Sequence, residues 1–273
     1  MPSFELEDDQ IESILCPICK GKPILSELKL LKCQTCTHLF NDNIHDDDYW
    51  NNLYDNAYTQ DERKSNEQRN LMYQHDIHWI SKVRPLKGNF LDVGCSFGNF
   101  FSFMPSNVKK IGIDISTNVI NDAKKKHPNC EFYKSKICEF KSNEKFDFIQ
   151  FRGVIQHSNT PYQDLECAIS LLEKNGVIII ESLPDFSSMT FKFFKDKFRF
   201  YTPKTCPNCF TDSSFHHLLE LLNLKIISQT SPYFGTPYER FPLDLISFFT
   251  NRLTNKFSPP FYGVIKNYMI TKI

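Results

Sequence analysis

Apolar residues along this chain gather in short runs that break at turns, and the gaps between runs carry helical spacing. Strand-like runs occupy residues 89–93, 110–116, 131–134, 146–151, 177–181, 224–228 and 267–273. Helical stretches alternate with them. One begins near Asn99, and another is capped by Ser116 and ended by His127 and Pro128. A third opens at Asp164, carries Leu165, Ile169 and Leu172 on one face, and stops at Asn175-Gly176. Residues 213–222 form a fourth, amphipathic one. This alternation predicts an α/β fold: a doubly wound, mostly parallel seven-stranded sheet whose last strand, 267–273, returns antiparallel.

The flanks follow other patterns. Residues 41–83 are polar and aromatic, with Tyr49, Trp50, Tyr54 and Tyr58 at near-helical spacing, and Asp46, Asp47 and Asp48 fit a solvated helix start. A longer helix is expected over 62–80, with Leu71, Ile77 and Ile80 inward. Two Phe-rich insertions, about 184–212 and 236–260, read as lids. The predicted domains are residues 1–42, a helical segment 43–84, and the α/β unit 85–273.

Charge narrows the partners. Lysine plus arginine equal aspartate plus glutamate at 32 each, so no global field draws the chain to nucleic acid or to a membrane. No apolar run approaches about 18 residues and the first ten residues are acidic, so neither a signal peptide nor a spanning helix is expected. The expected compartment is the cytoplasm, which makes reduced thiols or metal ligands of the ten cysteines.

Four of these thiols have the spacing of a metal site. Cys16 and Cys19 form one C-x-x-C pair, and Cys33 and Cys36 form another thirteen residues further on. Two such knuckles make a tetrahedral four-thiolate zinc site, closed and therefore structural. Its binding energy would fold a segment too small for a core of its own. His38 is a spare candidate ligand. Cys206 and Cys209 repeat the C-x-x-C, but no second pair follows; Thr211 and Ser213 read as a helix cap, and His216 and His217 as members of that helix.

The first apolar run ends in Asp92-Val-Gly94-Cys95-Ser96-Phe-Gly98, a tight turn in which glycines admit a ligand against the backbone. The second ends in Asp114, about twenty residues on, at a strand tip suited to hold the two hydroxyls of a ribose. This loop and acid resemble those of the class I S-adenosylmethionine-dependent methyltransferases, with Ser96 where the family usually has glycine. With the N-terminal cysteine pairs, Gln156-His157, Asn175-Gly176, Tyr201-Thr-Pro and Phe210-Thr211, the chain resembles small-molecule, sugar-type methyltransferases that carry an N-terminal zinc ribbon. The resemblance implies a Rossmann-like methyltransferase domain. Its cofactor would be S-adenosylmethionine, held by Asp92, Gly94, Cys95, Gly98, Asp114 and Ile115, with the adenine near Ile137 and Cys138. The segment before the first strand would cover the cofactor, with Tyr54, Tyr58 and Arg69 as candidates for its carboxylate.

His157 follows the fourth run, on the sheet edge where such folds place ligands, and is either a general base or a helix cap. The family setting is surface-polysaccharide or secondary-metabolite biosynthesis in bacteria. No room is expected for the further C-terminal domain of sugar C-methyltransferases, so an oxygen or nitrogen acceptor is expected, with oxygen methylation of a sugar-like or nucleotide-activated metabolite as the foremost expectation. Lys192, Lys195, Lys197 and Arg199 form a candidate strip for the diphosphate of such an acceptor. Two alternatives stay open, a zinc-ribbon rRNA base methyltransferase and a non-catalytic cofactor-binding protein. The neutral charge and Gln150-Phe-Arg-Gly153, in place of an Asn-Pro-Pro-Tyr-type motif, speak against the first.

Overall fold

The computed structural model describes residues 11, 13–41, 47–53, 67–202 and 205–273. Asp46, Tyr54, Tyr58, Pro203 and the expected start of the long helix lie outside the described residues. Three short strands come first: β1 (Pro23–Leu25), β2 (Leu31–Cys33) and β3 (Leu39–Phe40), followed by helices α1 (Asp47–Leu53) and α2 (Glu67–Val83). The main unit then runs β4 (Gly88–Val93), β5 (Val108–Asp114), α3 (Thr117–Lys126), β6 (Glu131–Lys134), β7 (Phe146–Arg152), α4 (Pro161–Leu171) and β8 (Leu172–Pro184). After α5 (Met189–Phe194) and β9 (Asn208–Cys209), the chain ends with α6 (Asp212–Leu221), β10 (Leu224–Thr230), α7 (Leu243–Leu253) and β11 (Ile265–Lys272).

Seven strands form one sheet in the order β10-β11-β8-β7-β4-β5-β6. The pairs from β6 through to β8 are parallel, and β11 lies antiparallel between β8 and β10. The expected doubly wound, mostly parallel sheet is therefore present. The strand order reverses between β4 and β7, which opens a crevice at their C-terminal ends. Central strands are apolar on both faces because both are covered: Leu91, Val93 and Ile178 belong to one buried cluster, Phe90, Phe148 and Ile179 to another. Each such side chain contributes roughly 1.5–3 kcal/mol on leaving water.

Local chemistry explains the helix starts. Ser116 Oγ accepts from Val119 N at 3.3 Å, and three lysines close the last turn of α3 against the helix dipole. Thr211 and Ser214 form a reciprocal capping box at α6. Elsewhere tertiary packing overrode the pattern. The stretch after Gly98 is a 3₁₀ turn, Asn99–Phe103, not an α-helix. Helix α4 stops at Leu171, and Asn175-Gly176 lies inside β8, because pairing with β7 captures the chain early. Ile80 is buried and Ile77 packs against the core as expected, but Leu71 is exposed, and α2 turns Met72, Tyr73 and Asp76 inward in its place. The second insertion, expected to form a lid, gives one helix, α7.

The N-terminal strands are not isolated. β9, from the third Cys-x-x-Cys, pairs with β3 and completes a four-stranded sheet, β1-β2-β3-β9. Ile18, Leu31 and Phe40 share a buried cluster with Phe210, Phe215 and Leu218. His38 is fully buried at this junction, with Nε2 3.1 Å from Asn208 Oδ1 and Nδ1 3.2 Å from Ser214 Oγ. Burial pushes its pKa down to about 4, so it is a neutral tie between elements. The reading of all cysteines as thiols or ligands needs one correction: Cys138 and Cys167 are disulfide-bonded, joining the segment after β6 to α4. Folding makes neighbours of cysteines 29 positions apart, beyond the reach of spacing arguments.

Candidate active site

A cleft of about 580 Å³ opens at the C-terminal ends of β4, β5 and β7. Its floor is the turn after β4. Gly94 and Gly98 have φ of 70° and 68°, and Gly94 N and Cys95 N donate to Ile113 O, locking the turn to β5. A Cβ on Gly94 would meet Val154 Cγ2 at 2.5 Å, and one on Gly98 would meet the Phe132 ring at 2.7 Å. At both glycines the close approach is to protein atoms, the Val154 side chain at Gly94 and the Phe132 ring at Gly98, and of the two only Gly94 also lines the cleft. Ser96 also adopts a left-handed conformation, φ 50°, where glycine would be unstrained.

Asp114 stands at the tip of β5. Its Oδ2 accepts from Ser96 N at 3.1 Å and its Oδ1 from Ser116 N at 3.0 Å, so the carboxylate is aimed across both loops. Asp92 is buried at the tip of β4, with Gln150 Nε2 3.4 Å from its Oδ1. Burial pushes its pKa up to about 8, with Asp114 adding to the rise and Arg152 and Gln150 opposing it. Asp92, Gly94, Cys95, Asp114, Ile115, Ile137, His157 and Arg69 all line the cleft. Gly98 and the disulfide-bonded Cys138 are not among its lining residues, nor, among the described residues, is any from either Phe-rich lid except Thr205.

On the opposite wall a 3₁₀ turn, Ile155–His157, sets His157 into the cleft. Its Nδ1 lies 2.5 Å from Thr205 O and 3.6 Å from Cys206 Sγ. A proton on Nδ1 donated to the Thr205 carbonyl leaves Nε2 as the basic nitrogen. Burial acts to lower the His157 pKa, but Cys206 and the Thr205 carbonyl outweigh it and hold the pKa above the ordinary value. Burial acts to raise the Cys206 pKa, and His157 reverses that too. The ribbon reaches this wall through His38 and Asn208, whose Nδ2 donates to Ser158 O at 2.5 Å.

Sequence reading missed a charged group in the cleft wall. Arg152 donates from Nε and Nη2 to Asp76 Oδ2, at 3.1 and 2.9 Å, and lies 4.7 Å over the Tyr73 ring. Glu181, at 3.9 Å from Arg152 Nε, is buried with neither oxygen hydrogen-bonded, and burial first, then Asp76, raises its pKa well above the usual range. An available signal was Asp76 on the face shared by Met72, Tyr73 and Ile80. Trp50, Tyr73 and Val154 also line the cleft and were not anticipated as site residues.

In the N-terminal segment, the sulfurs of Cys16, Cys19, Cys33 and Cys36 all lie within 4.8 Å of one another. Thr35 N and Cys36 N point at Cys33 Sγ, at 3.3 and 3.5 Å, the backbone support a thiolate ligand receives. No other cluster of this kind occurs among the described residues, and Cys206 and Cys209 belong to none. This donor set fits one tetrahedral zinc ion.

A family model described as a methyltransferase domain matches residues 65–229, more than half of the chain. The chain belongs to the methyltransferase-domain family. An uncharacterized protein of Methanocaldococcus jannaschii is 28% identical over 186 residues, 67% of this chain and 86% of that protein. The trans-aconitate 2-methyltransferase of Enterobacter sp. is 29% identical over 100 residues, 36% of this methyltransferase and 39% of the relative. Among solved structures, the plantazolicin methyltransferase BpumL, crystallised with a pentazolic desmethylplantazolicin analogue and S-adenosylhomocysteine, superposes with a TM-score of 0.56. It is 16% identical, with 83% of this chain and 96% of that one covered, so the likeness is of fold.

Proposed function

We propose that this methyltransferase takes S-adenosylmethionine at the tips of β4 and β5. It then methylates an oxygen of a small polar acceptor, sugar-like or nucleotide-activated, in the cytoplasm. The observation that carries this reading is the pairing, in one cleft of about 580 Å³, of the glycine turn and Asp114 with His157 on the facing wall. Bound there, the cofactor supplies a methyl group already activated on its sulfonium. Asp114 would hold the ribose hydroxyls, the Gly94 backbone would lie against the ligand, and Ile115 and Ile137 would flank the adenine. Asp92 would oppose the ammonium, and Arg69 would meet the carboxylate. The protein's remaining task is to align the acceptor and take its proton, which His157 Nε2 would accept. The four-cysteine ribbon would hold one zinc ion that folds the segment and, through His38 and Asn208, braces the wall bearing His157.

The test is transfer from labelled S-adenosylmethionine to a panel of sugar nucleotides, trans-aconitate and ribosomal RNA. We expect label on a sugar hydroxyl, with His157→Ala lowering kcat by roughly 10²–10⁴ while cofactor affinity barely moves. Label on ribosomal RNA alone would overturn the acceptor class, and label on trans-aconitate alone would remove the need for a base.

A further inference from the structure

Helix α7 is turned the wrong way for a water-soluble surface. It buries only Asp244, bonded to Tyr233 Oη at 3.0 Å, and turns its apolar stripe outward. Ile246, Phe249 and Leu253, at i, i+3 and i+7, are 57%, 56% and 86% exposed. The surface continues onto neighbouring elements. Phe193 of α5 stacks on Phe248 at 5.0 Å, and Met189 at the start of α5 is 78% exposed. Phe257 follows α7 and is 62% exposed. Monomeric soluble proteins rarely leave so large a contiguous apolar surface without a use.

Cations are mixed with these side chains. Arg252 lies 5.7 Å from the Phe193 ring and Lys197 5.7 Å from the Phe257 ring. Lys192, Lys195 and Arg199 on one side and Arg240 and Lys256 on the other bring the count to seven cations. The exposed carboxylates among them are Asp196, Glu239 and Glu27, which pairs with Lys195 at 3.4 Å. A chain with no net charge therefore concentrates positive charge around this apolar surface.

We propose that this face, α5 with residues 234–262, is a docking surface for an anionic lipid bilayer. Apolar side chains would enter the headgroup–acyl boundary while the lysines and arginines meet lipid phosphates and carboxylates. A second copy of the chain suits it less, since a two-fold contact would set seven cations against seven with few acids to answer them. The neutral whole-chain charge concealed this; the signal was local. Gln68 Nε2 donates to Pro237 O at 2.8 Å, which joins this face to α2 beside Arg69 at the cleft rim. Docking would bring that rim to the bilayer. The assignment does not depend on the acceptor.

The test uses the purified full chain and sedimentation with vesicles of phosphatidylcholine, alone or with roughly 30% phosphatidylserine. We expect binding to the anionic vesicles at least about tenfold above the neutral ones, weakened by salt. Ile246→Glu with Phe249→Glu should abolish it. Lys192→Glu with Lys195→Glu should weaken it at least about tenfold, because each cation near the surface contributes separately. Both variants alter solvent-exposed residues outside the cleft, so circular dichroism and cofactor affinity should match the parent. Equal sedimentation with neutral and anionic vesicles would overturn the proposal. So would no sedimentation at all, or a dimer in light scattering that the Ile246→Glu, Phe249→Glu variant converts to monomer.

Discussion

Asp92→Asn should stabilise the ligand-free protein while weakening its hold on the cofactor. Burial holds the Asp92 pKa near 8 in the folded state, against an ordinary value of 3.8. A carboxyl raised this way contributes its full stability below the unfolded pKa, and that contribution is lost as pH rises towards the folded value. Between about pH 5.5 and pH 8 the folded chain keeps a proton that the unfolded chain has released, so the parent loses about 1.4 kcal/mol per pH unit. Asparagine has nothing to titrate. It can also donate to Gln150 Oε1, which has no hydrogen-bond partner now. The gap between variant and parent should therefore open by about 3 kcal/mol across that window. Urea unfolding at several pH values, with unchanged m-values, reads it directly. Glu181 titrates in both proteins and cancels to first order. Calorimetry on the same samples should show weaker cofactor binding, because the amide cannot oppose an ammonium group. A gap that is constant with pH, or an Asp92→Asn variant less stable than the parent at pH 8, would refute a buried, high-pKa Asp92.

Three further outcomes follow from the geometry. Asp114→Ala should weaken S-adenosylhomocysteine binding by about 1.5–3 kcal/mol, the scale of hydrogen bonds to a charged group, and unchanged affinity would remove the ribose assignment. Ser96→Gly relieves a left-handed serine and should add about 1 kcal/mol, raising Tm by roughly 2–4 °C in thermal melts. Elemental analysis should find about one zinc per chain, lost together with Cys16→Ser and Cys33→Ser; two equivalents would place a second metal at Cys206 and Cys209, and none would sink the ribbon.

Periodicity and turn chemistry were enough for the seven strands, for the antiparallel last strand, and for the loop from Asp92 to Gly98 with Asp114 after the next strand. Those features are local: an apolar run, a glycine that a tight turn requires, an acid at a strand tip. The four cysteines were legible for the same reason, since paired knuckles are a short-range pattern. What the line of residues could not carry was which distant segments meet. The pairing of β9 with β3 makes Cys209 a ribbon strand residue and turns His38 from a spare ligand into a buried tie between elements. The disulfide between Cys138 and Cys167, the Asp76–Arg152 pair and the contact of His157 with Thr205 and Cys206 all join residues at least 29 positions apart. The same holds for the second insertion. Its apolar residues read as a lid, but whether such a stripe faces the cleft or the solvent is decided by which side of α7 packs on Phe193 and Phe194, and that side left Ile246, Phe249 and Leu253 facing out.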